Sequence, residues 1–195
     1  LPLTENFTGI ALGNLAGTNG WQGEDAVVQN DVTYASSVKA GGITSTAGRA
    51  CHQFSGTESN VWTDLYIQPV FGDDTTTNPP AGSTFAFFVN TAGNVVVYDG
   101  TSMVTTSATV VEHAWSRFTV NSDYASETWD LYLDGTQIST NRGFYHTTVS
   151  AYSEFGILTG GGNSNAPVDD IYIATGTPTF LPPPVSFSPT SYSFA

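Results

Sequence analysis

The sequence predicts an all-β fold in which two antiparallel sheets pack face to face as a β-sandwich. Short runs of alternating apolar and polar residues recur along the chain, separated by clusters of Gly, Asn, Asp and Pro. Such alternation is typical of half-buried strands, and no stretch shows the 3.6-residue period of an amphipathic helix. The 20 Gly, 10 Pro, 9 Tyr and 12 Phe favour many strands joined by many turns.

A single globular domain suits the length and composition of the chain. It has 195 residues, of which 39% are hydrophobic, and its mean hydropathy is -0.07. These values are typical of a folded domain with one core and not of a disordered chain. Residues 1–177 are predicted to form this domain.

The chain is strongly acidic, which restricts its partners. It has 4 Lys or Arg against 17 Asp or Glu, and its formal net charge is -13. Such a charge repels nucleic-acid phosphates and anionic membranes, so we expect neither nucleic-acid binding nor membrane insertion. The single Cys excludes an internal disulfide. The low Lys content, with abundant Thr, Ser, Asn, Gly and Tyr, indicates a secreted or cell-surface protein.

The composition changes after the predicted domain. Four prolines lie between Pro178 and Pro184 and indicate a linker. The segment from Val185 to Phe194 is similar to the first strand of an immunoglobulin-like domain. Residues 178–195 are therefore predicted to be a Pro-rich linker and the start of a further domain in a larger multidomain chain. The alternative is a tail that packs back on the sandwich.

The strand candidates lie between clusters of turn residues. They are Asp25 to Gln29, Ala50 to Phe54, Val61 to Phe71, Thr84 to Asn90, Asn94 to Tyr98, Ser116 to Asn121, Thr128 to Leu133, Glu154 to Thr159 and Asp170 to Ala174. Asp134-Gly135 predicts a two-residue hairpin turn, because both positions of such a turn need left-handed backbone angles.

Several motifs in this order resemble those of one fold family. They are Glu5 to Gly9, Asn19 to Trp21, Trp115 to Val120, Thr128 to Gly135 and Val168 to Ile173. Together they resemble the concanavalin A-like (laminin-G-like) jelly-roll domains of bacterial secreted proteins, over roughly residues 3 to 175. The resemblance implies a jelly-roll sandwich whose concave sheet face holds the ligand. That fold hosts lectins, glycoside hydrolases, polysaccharide lyases and adhesion modules, so it does not decide the function.

The strand predicted from Val61 carries the candidate ligand residues. One face bears Val61, Thr63, Leu65 and Ile67, and the other bears Trp62, Asp64, Tyr66 and Gln68. Aromatic rings stack on the apolar faces of sugars, and the polar groups hydrogen-bond to hydroxyl groups. Arg117 and Tyr132, on neighbouring predicted strands, are expected to join this ligand-binding set. The alternative is that Trp62 and Tyr66 are core aromatics.

A structural Ca²⁺ is implied by the resemblance. In the resembling domains, a Glu near the N-terminus and an Asp at the start of the last strand supply oxygens to calcium. Glu5 and Asp169 match those two positions. Ca²⁺ takes six to eight oxygen ligands, so backbone carbonyls and water would complete its shell. The alternative is two solvated acids at strand ends.

These observations predict non-catalytic carbohydrate binding to a polysaccharide or glycan. Two alternatives stay open. One is a polysaccharide lyase or glycoside hydrolase with an atypical site, since the sequence has no ExDxxE phrase for a pair of glycosidase carboxylates. The other is a structural or adhesion spacer of a cell-surface protein, which gains support if the ligand face is filled by the domain's own loops.

Overall fold

The structure, a computed structural model, describes residues 1–45, 48–71, 79, 82–158 and 166–179. These residues form fifteen β-strands, and none of them forms a helix that could cross a membrane. The predicted all-β antiparallel fold is confirmed. Residues 180–195, with most of the predicted linker and the strand of a following domain, lie outside the described residues, so that division of the chain stays a prediction.

The strands are numbered in chain order. They are β1 (Leu3–Glu5), β2 (Gly13–Asn14), β3 (Trp21–Glu24), β4 (Ala26–Gln29), β5 (Ala40–Ile43), β6 (Arg49–Gln53), β7 (Asn60–Ile67), β8 (Phe87–Val89), β9 (Asn94–Tyr98), β10 (Met103–Thr109), β11 (Ser116–Asp123), β12 (Thr128–Leu133), β13 (Thr136–Gly143), β14 (Glu154–Leu158) and β15 (Val168–Ala174).

One large sheet forms the first layer of the sandwich. Its strand order is β13-β12-β11-β7-β15-β5-β4-β2, and β1 also pairs with β15. The described part of the second layer consists of two three-stranded sheets, β10-β9-β8 and β14-β6-β3. The prediction of two sheets therefore holds at the level of layers, while hydrogen bonding divides the second layer into two parts.

A single hydrophobic core lies between the layers. Trp21 of β3 and Ala50 of β6 line a common cavity with Val168 of the large sheet. Phe87 from β8 stacks on Phe118 of the large sheet at 5.0 Å. Both small sheets therefore cover the same face of the large sheet. Trp129, predicted from its alternation with Leu131 and Leu133 to be a core residue, is 1% exposed.

The hairpin and two of the strands follow the sequence closely. β9 and β12 begin and end at the predicted residues. Asp134 and Gly135 have φ of 49° and 80°, as the predicted two-residue turn requires. Six strands were not predicted: β1, β2, β3, β5, β10 and β13. β10 and β13 are rich in Thr, Ser, Gln and Asn and lie at sheet edges, where a hydrophobic alternation is not needed.

A bulge interrupts the last strand, β15. Asp169 pairs with Tyr66 and Tyr172 pairs with Asp64, so three steps on β15 match two steps on β7. The extra residue is Asp170, whose φ is 46°. A bulge of this kind places Asp169 and Tyr172 on the same face, although an odd number of steps would normally place them on opposite faces.

The close approach of β3 to β6 gives a first test of the fold. A Cβ on Gly23 would lie 2.1 Å from the carbonyl oxygen of Arg49, and the φ of Gly23 is +150°. We expect Gly23→Ala to lower the free energy of unfolding by about 2 kcal/mol or more, measured by urea denaturation. Gly9→Ala is the matched control, because a Cβ there meets nothing within 4 Å. Equal stability of the two variants would contradict the β3–β6 register.

Candidate functional site

The candidate site lies on the face of the large sheet that is turned away from the core. On β7, Val61 and Leu65 are 0% and 3% exposed and belong to the core. Trp62 and Tyr66 are partly exposed and lie outside the core cluster. The two faces of β7 therefore differ as their sequence suggests, and Trp62 and Tyr66 belong to the outer one.

Strand register arranges the outer face in rows, because residues directly opposite each other share a face. The rows are Arg117, Tyr66 and Asp169; then Gln137, Tyr132, Thr119, Asp64, Tyr172 and Thr4; then Asp130, Asn121, Trp62 and Ala174. The face thus combines aromatic rings with carboxylate, amide and hydroxyl groups.

A buried ion pair lies at the centre of this face. Nε of Arg117 donates a hydrogen bond to Oδ1 of Asp64 at 2.9 Å, and the Thr119 hydroxyl donates to the same oxygen. Asp64 and Thr119 are fully buried, and Arg117 is 6% exposed. In this structure, Asp64 and Arg117 therefore present almost no surface to a ligand, and their hydrogen bonds tie β7 to β11.

Burial changes the acidity of the central carboxyl group. It raises the pKa of Asp64 above the ordinary value of 3.8, and the hydrogen bond from Thr119 and the charge of Arg117 offset part of that rise. Oδ2 of Asp64 is buried and has no hydrogen-bond partner among the described residues. The group is thus suited to holding the strands together more than to direct proton exchange with a substrate.

One half of the outer face is covered by the chain itself. Tyr34, from the segment between β4 and β5, stacks on Tyr66 with ring centroids 3.7 Å apart, and Trp115 meets Tyr34 edge-on at 5.6 Å. The Tyr34 N–H donates to Oδ2 of Asp169 at 3.3 Å. Burial, and then the hydrogen bond with Tyr34, raise the pKa of Tyr66. We call Tyr34, Tyr66, Trp115 and Asp169 the covered half.

The other half is open around two aromatic rings. Trp62 and Tyr132 lie with ring centroids 6.0 Å apart, and both are partly exposed. We call this pair the aromatic platform. Asn121 lies opposite Trp62 and Asp130 lies opposite Asn121, which places an amide and a carboxylate beside the rings. Burial, and then the charge of Asp130, raise the pKa of Tyr132.

The structure separates the six predicted ligand residues. Trp62 and Tyr132 lie together in the platform, while Tyr66 lies under Tyr34. Gln68 lies beyond the end of β7, where its backbone N–H donates a hydrogen bond to the Pro167 carbonyl oxygen at 2.9 Å. The other two, Asp64 and Arg117, form the buried pair. Sequence reasoning did not single out Asn121 or Tyr34, because strand register and loop packing place them.

The two predicted calcium ligands lie on opposite faces of the large sheet. Glu5 lies opposite Ile171, whose side chain is in the core, whereas Asp169 lies opposite Tyr66 on the outer face. Oε1 of Glu5 accepts the Phe7 N–H at 2.7 Å. Among the described residues, no group of three or more His, Cys, Asp or Glu side chains could hold a metal. Calcium binding by Glu5 and Asp169 stays a prediction.

A cationic side chain already lies beside the N-terminal turn. The ammonium group of Lys39 donates to the carbonyl oxygen of Thr8 at 3.1 Å and also to that of Ile10. The chain therefore supplies its own positive charge to carbonyl oxygens close to Glu5.

Solved structures share this fold at low sequence identity. A sialidase matches with a TM-score of 0.67 and 9% identity, over 89% of this chain and 18% of that one. The T. cruzi calreticulin globular domain matches with a TM-score of 0.54 and 10% identity, over 90% and 88% of the two chains. A Trypanosoma rangeli sialidase in complex with 2,3-difluorosialic acid matches with a TM-score of 0.55 and 11% identity, over 77% and 27%.

These similarities define the class of fold. The chain is a jelly-roll β-sandwich, and it spans less than a third of the length of either sialidase. No protein-family profile matches the sequence, and no curated protein matches it. At such identities the likeness shows the fold alone, and the function must be argued from the outer face.

The buried ion pair gives a second test. We expect Arg117→Met to lower the free energy of unfolding by about 3–5 kcal/mol, because it leaves the Asp64 carboxylate buried without its charge partner. The double variant Asp64→Val/Arg117→Met should recover most of this loss, since it removes both charges. Urea denaturation at neutral pH measures both values. A double variant as unstable as the single one would show that the loss comes from packing and not from an unpaired charge.

The raised pKa of Asp64 gives a third test. The folded state holds this proton more tightly than the unfolded chain, so the contribution of Asp64 to stability is complete below pH 3.8. It is lost as the pH rises through the raised pKa. We expect the free energy of unfolding to fall less steeply above about pH 4 in Asp64→Asn than in the unmodified protein. Asp31→Asn, at an exposed site, is the control, and an unchanged slope in Asp64→Asn would contradict the effect of burial.

Proposed function

We propose that this protein is a non-catalytic carbohydrate-binding module that holds a polysaccharide on the outer face of its large sheet. The observation that carries the proposal is the aromatic platform, two partly exposed rings 6.0 Å apart on an otherwise polar face. Rings of this kind stack on the apolar faces of pyranoses. A neighbouring amide donates hydrogen bonds to sugar hydroxyl groups or accepts them, and a neighbouring carboxylate accepts them.

In this proposal the residues have different roles. Trp62 and Tyr132 contact the sugar rings, and Asn121 and Asp130 contact their hydroxyl groups. Asp64 and Arg117 hold β7 to β11 and do not contact the sugar, because both side chains are buried. An open face leaves much of a bound sugar hydrated, so the affinity should be modest.

Three further parts of the proposal come from the sequence. The low Lys content supports a secreted or cell-surface protein, and the Pro-rich end supports a place in a larger multidomain chain. The motifs quoted above support membership of the concanavalin A-like group, whose structural calcium we test together with glycan binding.

A spacer in an adhesion protein is the second candidate function. The covered half supports it, since Tyr34 fills the space above Tyr66, where a ligand ring would otherwise stack. A spacer needs no glycan contact on the open half, so a binding measurement distinguishes the two functions.

The test is glycan binding on a polysaccharide array, with calcium and again with a chelator. We expect binding to one polymer class, and we expect Trp62→Ala and Tyr132→Ala each to weaken it about tenfold or more, as large aromatic contacts do. Loss of binding with the chelator would support the predicted calcium site.

Tyr98→Ala is the matched control, because Tyr98 is a partly exposed aromatic residue on β9 in the other layer. Glycan binding that survives Trp62→Ala unchanged would overturn the proposed platform. Absence of glycan binding in both conditions would favour the spacer.

A further inference from the structure

A cleft beside the platform extends the open half to the edge of the outer face. It is lined in part by Thr4, Glu58, Tyr172, Ala174 and Gly176 and has a volume of about 340 Å³. We call it the edge cleft. Its volume falls at the lower end of the range of small-molecule sites, roughly 300–1,000 Å³. None of its residues was predicted from sequence to bind a ligand.

The edge cleft adjoins the aromatic platform at Ala174. Ala174 lines the cleft and is the cross-strand neighbour of Trp62. Because the Ala174 side chain is a single methyl group, no large side chain at that position separates Trp62 from the cleft. Tyr172 lies on the same face two residues earlier and presents a third partly exposed ring.

The distance across this surface suits a chain of sugars. Tyr132, Thr119, Asp64 and Tyr172 occupy one row across β12, β11, β7 and β15. Neighbouring strands lie about 4.8 Å apart, so the backbones that carry Tyr132 and Tyr172 are roughly 14 Å apart. One monosaccharide cannot cover that distance, whereas a short oligosaccharide can.

The charge of the open half disfavours acidic sugars. All four basic residues of the chain lie in described segments, and Arg117 alone lies on the outer face, where Asp64 engages it. Lys39 donates to carbonyl groups of the N-terminal turn. Arg49 lies on β6 of the other layer, and Nε of Arg142 donates to the Ser139 hydroxyl.

Carboxylates, by contrast, lie at both ends of the surface. Asp130 lies beside the platform and Glu58 lines the edge cleft. Oε2 of Glu58 is buried against Gly56, where an added Cβ would lie 2.0 Å from it, so this oxygen is not open to a ligand. The Glu58 side chain nevertheless lines the cleft, and its negative charge repels another carboxylate.

We infer that the ligand is a neutral oligosaccharide or polysaccharide that runs from the aromatic platform across Ala174 into the edge cleft, where Tyr172 and Glu58 contact it. This inference rests on the proposed function and adds a second contact region and a ligand class. It separates the ligand from sialic acid, the anionic sugar whose difluoro derivative is bound in one sialidase of similar fold.

Ligand class is tested first. The full chain is assayed against neutral polymers (cellulose, xylan, mannan and starch) and anionic ones (alginate, polygalacturonate and polysialic acid). We expect binding to a neutral polymer and at least about tenfold weaker binding to every anionic one. Tighter binding to an anionic polymer, weakened by added salt, would overturn the inference.

The edge cleft is tested next, with disaccharides to hexasaccharides cut from the neutral polymer that binds best. We expect affinity to rise with length in the unmodified protein. Tyr172→Ala should weaken hexasaccharide binding about fivefold or more and disaccharide binding less than twofold, and Glu58→Gln should weaken hexasaccharide binding about threefold. Tyr172→Phe, which keeps the ring, is the control, and each variant must retain the unfolding temperature of the unmodified protein.

The outcomes distinguish the two proposals. If no glycan binds, the proposed function fails and this inference fails with it. If glycans bind and Trp62→Ala abolishes binding, but Tyr172→Ala and Glu58→Gln change neither affinity nor its dependence on length, the proposed function holds and the edge cleft is excluded.

Discussion

The hydrogen-bonded ion pair of Asp64 and Arg117 is the constraint on which the outer face depends. Charged side chains usually remain in water on such a face, and removing each from water costs several kcal/mol. Here both are buried although they point away from the core. That burial requires a cover on the solvent side, and the neighbours of Asp64 on its own strand are the aromatic residues Trp62 and Tyr66. Tyr66 lies directly opposite Arg117 and under Tyr34, so the stacked rings of the covered half lie beside the pair.

The contact between Trp62 and Tyr132 restricts both rings of the aromatic platform more than an isolated surface ring would be restricted. Rings held in this way lose less rotamer freedom on binding, so they bind a flat ligand at a lower entropic cost. The two halves differ in whether another ring covers their aromatic residues. In the covered half, Tyr34 stacks on Tyr66. In the open half, Trp62 and Tyr132 contact each other, and no other described aromatic ring covers them.

Features that depend on the alternation of neighbouring residues were predicted from the sequence. Features that depend on how strands distant in sequence pair with one another were missed. The two faces of β7, the bounds of β9 and β12 and the Asp134-Gly135 hairpin all follow from neighbouring residues. The burial of the outward-pointing Asp64 does not, because it depends on the register that brings Arg117 and Thr119 of β11 beside it. The faces on which Glu5 and Asp169 lie could not be predicted either, since both residues were recognised only by their positions at strand ends. Their faces depend on how β1 and β7 pair with β15.

The bulge at Asp170 makes the number of residues in β15 critical, whereas the identity of its side chains can vary. Loss of that one residue would reverse the faces of everything on one side of it, bringing Ile171 and Ile173 to the surface or Val168 out of the core. Substitutions along this strand are therefore far easier to accept in evolution than a single insertion or deletion. The bulge lies between Asp169 of the covered half and Tyr172 of the edge cleft. The two ends of β15 can thus diverge independently, one as structural closure and the other as recognition surface.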